Sequence, residues 1–486
     1  MSARPALECG SMFTITKREA VFAAILLSLY WILTLWGIWT KDVSALGWNL
    51  TVFVVALLCL YTHAGRPERP GARELVWLVP LLLIALSYAL YENPYIKAVN
   101  MLVLPLLFVA YFIITSTKHH AKVVWSSMWI WRMVERALGV VKQVEPALSA
   151  TMHALIPGGK NQSDLIKRIV IGLAILIFVS LILFIPLLSG ADAAFAEMMK
   201  SVQEFVLNLI ELETLLKCVV FVVLTVVILA GLLQWTKEEE FLVQKETKHM
   251  DAVVSGIVLG GILVLYVLFL FTQLKTLWVY QLPAEFLSTE RLVKSGFWQL
   301  FFLSGINVLL YVLYYRRTSK PVQNMLTVFM FASLFLLLSA AKRMGMYVFY
   351  YGFSYEKFFA AYTVIFAIFL FIRLIAALFQ KEKTDIVRYL VVAFVWMYAV
   401  ATVFPVEQAI FRLNRRLAAL PTSRIDMLEL KMLSGDVYGL VLQESAKAQA
   451  DERWQEWLTK ARANSLSKEF YEMNWQDVLL RSRWGV

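Results

Sequence analysis

Residues 336–358, LLLSAAKRMGMYVFYYGFSYEKF, close an apolar run with Lys342 and Arg343, then carry Tyr347, Phe349, Tyr350, Tyr351, Phe353 and Tyr355 before Glu356. Cations at the end of an apolar run can hold an anionic head group, and rings beside them fix a depth in the membrane interface. The preceding connection, LKTLWVYQLPAEFLSTERLVKSGFWQL, repeats the theme with Lys275, Arg291 and Lys294 ahead of Trp298 and Gln299. Lys294, Trp298, Gln299, Arg343, Tyr347, Tyr351 and Tyr355 are therefore the candidate ligand-binding residues, for an anionic lipid head group or another acidic ligand. An aromatic belt explains the rings without a ligand, but it accounts less well for the cations.

Other chemistry is sparse. Acid/base catalysis needs two titratable groups placed together; Asp192, Glu290 and Glu407 are the available carboxylates near the ends of apolar runs, and no pair has a telling spacing. PGGKNQS (157–163) lacks the first glycine of a phosphate loop, and Asn161 replaces the hydroxyl residue that would hold magnesium. His63, His119, His120, His153 and His249 form no HExxH pair, and no GxSxG elbow occurs. Cys9, Cys59 and Cys218 are scattered, which suits neither a disulfide framework nor a metal cluster. The expectation is no catalytic residue, no metal and no cofactor.

The elements that must position these residues follow from composition. The chain is 60% hydrophobic and 17% charged, with mean hydropathy +0.67, against about 45–50% and about 25% for a soluble domain. It reads as an all-α, polytopic transmembrane helix bundle. Apolar runs near 21–39, 47–62, 74–91, 97–115, 169–189, 214–235, 252–273, 296–315, 324–341, 358–379 and 386–404 give about eleven spans. The first run is too long for a signal-peptide core and is read as a retained span.

Alternate connections hold 23 Lys and Arg on the N-terminal side against 9 on the other, so the N-terminus is expected in the cytoplasm. An odd span count then puts the C-terminal region outside. The net charge of +11 is read the same way, as basic cytoplasmic loops, with no nucleic-acid partner.

The expected organisation is a cytoplasmic segment (1–20), spans 1–4 (21–115), a cytoplasmic amphipathic connection (116–168), spans 5–11 (169–404) and a polar helical C-terminal region (405–486). In the connection, Val124, Met128, Trp131, Val134, Leu138, Val141, Leu148, Met152 and Leu155 recur at helical spacing, suiting a helix in the membrane interface or one packed on the bundle. Residues 191–213 read as an acidic helix on the outer surface. The C-terminal region carries Trp454, Trp457, Phe470, Tyr471, Trp475 and Trp484 among charges and is expected to lean on the membrane or the bundle.

By these boundaries no Asp or Glu lies in mid-span; Lys217 and Arg373 lie near enough to helix ends to snorkel. A proton-coupled carrier usually keeps an intramembrane carboxylate or histidine, so the pattern weighs against one. Gly256 and Gly260 allow close helix approach.

The segments LYVLFLFTQLKTLW, FLSTERLVKSGFWQLFFLSGINVLLYVL, SAAKRMGMYVFYYGFSYEKFFA and FRLNRRLAALPTSRIDMLELKMLSGDVYGLVL resemble the bacterial polytopic membrane proteins grouped as domain of unknown function 4173, and its relative 4153. LLSGADAAFAEMM and YENPYIKAVNMLVLP are similar to earlier segments of that group. Leu292, Val293 and Lys294 depart from a Tyr-Ala-Arg pattern, and Phe353-Ser354 from Leu-Thr. The resemblance implies a bacterial cytoplasmic membrane, a multispan helical fold and a polar C-terminal part, and it carries no activity.

The leading reading is a non-enzymatic integral membrane protein whose outer loops and C-terminal region bind a lipid, an envelope component or a protein partner. The alternatives are a transporter of a lipidic or amphiphilic solute, and a membrane enzyme acting on lipid-linked substrates.

Overall fold

The computed structural model describes residues 16–65, 72–115, 117–118, 127–155, 212–235, 239–240, 251–277, 286–315, 318–380, 386–421, 433–445 and 452–484, with single positions at 172, 197, 425 and 427. The expected span at 169–189 and the acidic helix at 191–213 lie outside this set, apart from isolated positions at 172 and 197 and the last two residues, 212 and 213.

The helices are α1 (Lys17–Thr34), α2 (Gly37–Thr40), α3 (Trp48–Gly65), α4 (Ala72–Leu90), α5 (Pro94–Thr115), α6 (Ser127–Lys142), α7 (Val144–Leu155), α8 (Leu212–Trp235), α9 (Ala252–Leu277), α10 (Phe286–Tyr314), α11 (Lys320–Tyr351), α12 (Tyr355–Gln380), α13 (Ile386–Val403), α14 (Val406–Ala418), α15 (Tyr438–Ser445), α16 (Glu452–Ser467) and α17 (Trp475–Trp484). A two-residue parallel pairing joins Thr117–Lys118 to Glu239–Glu240. Entry into α1 is fixed by a capping box: the Glu19 amide donates to Thr16 Oγ1 (3.2 Å) and the Thr16 amide to Glu19 Oε2 (2.7 Å).

Among the described residues, α1 with α2, α5, α8, α11 and α12 are long and apolar enough to cross a membrane, and α3, α4, α9 and α10 contain shorter apolar stretches. The last apolar helix, α13, breaks at Phe404-Pro405, and α14 leaves it bent by 69°. Polarity explains the bend. α14 buries Val406, Glu407, Ile410, Phe411 and Asn414 on one face and exposes Arg412, Arg415 and Arg416 on the other, a pattern that lies along a surface rather than crossing hydrocarbon.

Two apolar cores divide the bundle. One gathers α1, α3, α4, α5, α7 and α8 around Trp77, Tyr88 and Tyr111; the other gathers α9–α12 around Tyr311, Phe329 and Phe371. α13 lies between them, with Ala399 in the first core and Leu390 packed against the second. The connection at 127–155 touches the bundle through Ala147, Leu148 and Val140, and Gly139 lies so close to the Gln234 side chain that a Cβ there would overlap it. Val134, Leu138 and Val141 remain exposed, so the stripe is shared between bundle and surroundings.

One end of the bundle carries the C-terminal region. The Trp48 amide donates to the Met473 carbonyl (3.1 Å), and Lys41 pairs with Glu472 (2.6 Å). Gly47 is pressed against the Glu472 and Met473 carbonyls, leaving no room for a side chain. The α11–α12 turn is held from the same region: Asn414 accepts from the Phe353 amide (2.6 Å) and donates to the Phe353 carbonyl (2.8 Å). Gly352 ends α11 at φ +72°, a left-handed position that glycine adopts without strain. A third apolar core, built on Ile96, Phe411, Val437, Tyr438 and Leu458, welds this region to the start of α5.

Candidate functional site

The tight connection between α4 and α5 places Tyr91, Glu92 and Asn93 at this end, with Asn93 Oδ1 capping α5 by accepting from the Ile96 amide (3.1 Å). Glu92 is only 7% exposed. Its Oε2 accepts from the Gly435 amide (3.1 Å), and its Oε1 from Asn464 Nδ2 (2.7 Å) and Lys468 Nζ (3.1 Å). Lys468 also pairs with Asp477 (2.9 Å), so one ammonium is shared by two buried carboxylates. Buried charges of this kind persist only when paired and hydrogen-bonded.

Beside this ion group lie two further carboxyls. Asp436 accepts from the Glu92 amide (2.8 Å) and the Asn93 amide (3.3 Å). Glu407 Oε2 accepts from the Ser434 amide (2.8 Å) and Ser434 Oγ (2.5 Å), while Glu407 Oε1 is buried with no hydrogen-bond partner among the described residues. Lys97, 2% exposed, donates to the Leu46 carbonyl. Burial, with Asp436 close by, pushes Glu407 well above the usual carboxylate range. Burial likewise pushes Asp436 up to about 7, against the backbone donors that stabilise its charge. Burial alone would lower Lys468, but Glu92 and Asp477 outweigh it and hold the ammonium above its ordinary value.

Directly below is a cavity of about 540 Å³ between α5, α12 and α13. Tyr95, Tyr355 and Glu356 line its upper rim; Phe359, Tyr362, Phe366, Phe394 and Tyr398 continue the wall downward. Ile96 and Thr402 border both this cavity and a polar space of about 10 Å³ beside Glu407 and Asp436. Tyr95 and Phe394 are half-exposed, so the cavity opens sideways on the bundle surface. The Tyr355 hydroxyl in its wall makes no hydrogen bond among the described residues. A second cavity of about 120 Å³ lies between α10, α11 and α12 and shares Thr363 and Phe366 with the first.

The seven residues singled out from the sequence fall in three places. Trp298 and Gln299 are exposed on α10, Trp298 packing against Phe301 and Phe302; Lys294 is on the same helix, its side chain outside the described set. Arg343, Tyr347 and Tyr351 lie on α11, Arg343 only 7% exposed. Tyr347 and Tyr351 are in ring contact (5.4 Å), and Lys357 Nζ lies 4.3 Å from the Tyr347 ring centre while donating to the Tyr351 and Gly352 carbonyls. Tyr355 belongs instead to the cavity, with its ring against Tyr95 (4.9 Å). Sequence reasoning missed Glu92, Lys97, Asp436, Lys468 and Asp477, and named Glu407 only as a lone carboxylate. Of the two cations expected to snorkel, Lys217 reaches Glu213 (2.8 Å) and the Trp36 ring, and Arg373 lies over Tyr389.

A family model described as Domain of unknown function (DUF4153) matches residues 78–441, from α4 into α15. The matched stretch contains the cavity and Glu92, Lys97, Glu407 and Asp436; Lys468 and Asp477 lie beyond it. No curated protein and no solved structure matches the chain. With most of its length covered by that model, this helical chain, with several helices able to cross a membrane, belongs to the DUF4153 family, a grouping of unknown function.

Proposed function

We propose that this is a multi-pass protein of the bacterial cytoplasmic membrane that binds one amphiphile in the cleft between its two helix clusters, under a C-terminal region on the outer face. The observation that carries this reading is the cavity of about 540 Å³ between α5, α12 and α13. Its wall on α12 runs from Tyr355 to Phe366, a rise of about 16 Å at about 1.5 Å per residue, or roughly one leaflet of a hydrocarbon core about 30 Å thick. Apolar below and rimmed by tyrosines above, such a space suits an acyl chain with its head group at the interface.

Head-group chemistry follows from the rim. Glu356 and tyrosine hydroxyls line it, with no Lys or Arg among the described lining residues, which favours a head bearing hydroxyl or amine donors. The cations Lys294 and Arg343, with Trp298, Gln299, Tyr347 and Tyr351, stay as a separate candidate surface for an anionic group. Orientation rests on the Lys and Arg bias, which puts the N-terminus in the cytoplasm. The sequence resemblance to the 4173 grouping supports the bacterial membrane assignment.

Glu407 and Asp436, lining one small space with Lys97, are what acid/base chemistry on a lipid-linked substrate would use. The space next to Glu407 holds only about 10 Å³, too little for a substrate group, and this favours binding over catalysis. The test is photocrosslinking with a lipid carrying a diazirine in its acyl chain. Adducts should map to α5, α12 and α13; adducts spread evenly over exposed helices such as α9 would defeat the reading.

A further inference from the structure

Glu407 stands in the first turn of α14, immediately after the 69° break. One of its oxygens takes both donors of Ser434; the other is buried and unpartnered among the described residues, beside the polar space it shares with Tyr91, Asn93, Lys97 and Asp436. That space is large enough for one water and nothing bigger. A buried carboxylate oxygen without a donor is costly as an anion and accommodated as an acid, because the proton removes the charge that burial penalises.

The surroundings define how many protons fit. Tyr91 and Glu92 face the pair from the α4–α5 connection and Lys97 from α5, while Lys468 and Asp477 of the C-terminal region lie behind Glu92 and Lys97. Four carboxyls, Glu92, Glu407, Asp436 and Asp477, meet two ammonium groups in a buried site. Lys468 is committed to Glu92 and Asp477, and both Asp436 oxygens are committed to backbone donors. Glu407 Oε1 is the position left for a hydrogen.

We propose that Glu407 and Asp436 form a proton-binding site, filled while the part of the C-terminal region that carries Ser434 and Asp436 is seated on the bundle and emptied to solvent as that part lifts away. Seating and protonation are linked because Glu407 belongs to the helix after α13, whereas Ser434 and Asp436 belong to the turn that lifts. Ile96 and Thr402 border both the polar space and the cavity, so lifting also uncovers the upper end of the cavity. That last consequence rests on the lipid-binding reading; the proton site does not.

The experiment is hydrogen exchange on the full chain in lipid nanodiscs from about pH 6 to about pH 8.5, corrected for intrinsic exchange. Protection of residues 433–445 should fall about tenfold or more in the wild type and much less in Glu407→Gln, where Asp436 alone can still titrate. Infrared spectra of the wild type should show a neutral carboxylic C=O signal that disappears over the same range and is weaker in Glu407→Gln. Replacing Na⁺ by choline should change neither readout. Flat protection with no titrating carboxylic signal overturns the proposal, as does an equal fall in Glu407→Gln. A Na⁺-dependent shift overturns it too, by making the ligand a metal cation. If Glu407→Gln gives no folded protein, the infrared titration decides alone.

Discussion

Glu92 and Asp436 exchange backbone hydrogen bonds across 344 residues of sequence: the Glu92 amide donates to Asp436 Oδ1 (2.8 Å), and the amide just before Asp436, that of Gly435, donates to Glu92 Oε2 (3.1 Å). Each acidic side chain caps the other's turn. This reciprocal clamp fixes the C-terminal region over the cleft between the two helix clusters. Asp436→Ala would leave two buried amides without acceptors, costing about 2–5 kcal/mol. Limited proteolysis should then release the region at lower protease concentration than in the wild type.

The two lysines paired with carboxylates at this end should respond differently to removal. Lys468→Ala strands Glu92 and Asp477 as buried charges, for which about 3–5 kcal/mol is typical. Lys41 is part-exposed and its buried partner Glu472 keeps the Glu469 amide as a donor, so Lys41→Ala should cost less, about 1–3 kcal/mol. Thermal unfolding midpoints in one detergent would rank them; equal midpoints would contradict the burial argument.

Asn414 ties α14 to the α11–α12 turn through both atoms of its amide group. Asn414→Ala removes a donor and an acceptor from the Phe353 backbone and should cost about 1–3 kcal/mol. Gly352→Ala should be comparably harmful, because its positive φ disfavours a side chain and a Cβ would meet Asn414 Oδ1 at 2.8 Å. A double-mutant cycle should show the two effects to be less than additive.

Stability should fall as pH rises through the acidic range. Asp436 and Glu407 are neutral in the folded protein at pH values where the unfolded chain ionises them. Their folded state is therefore fully favoured below the ordinary carboxylate value of about 4, and the advantage is lost from there up to about 7 for Asp436. Melting temperature against pH should slope downward over this window, with a shallower slope in Glu407→Gln. A rising slope would mean that both carboxyls are ionised in the fold.

Much of the helical framework was legible because apolar length is a local property. The run at 386–404 became α13 (Ile386–Val403), and that at 214–235 became α8 (Leu212–Trp235). The buried cluster was not legible, because nothing near Glu92 or Lys468 in sequence marks either as buried. Glu92 precedes Asn93-Pro94 in what reads as a solvated turn, and Lys468 lies 376 residues away in a segment of balanced charge. Only the docking of the C-terminal region takes them out of water. The aromatic stretch at 347–355 divided for a related reason: Gly352 turns the chain between Tyr351 and Tyr355, so the first packs with Tyr347 and the second enters the cavity.

Native mass spectrometry of gently extracted protein tests the central claim most directly. Wild type should retain one lipid, and Ala98→Trp, which fills the cavity from α5, should lose it. Lys294→Ala with Arg343→Ala should keep it, because both residues belong to α10 and α11, whereas the described lining comes from α5, α12 and α13. Equal retention by wild type and Ala98→Trp would contradict the account.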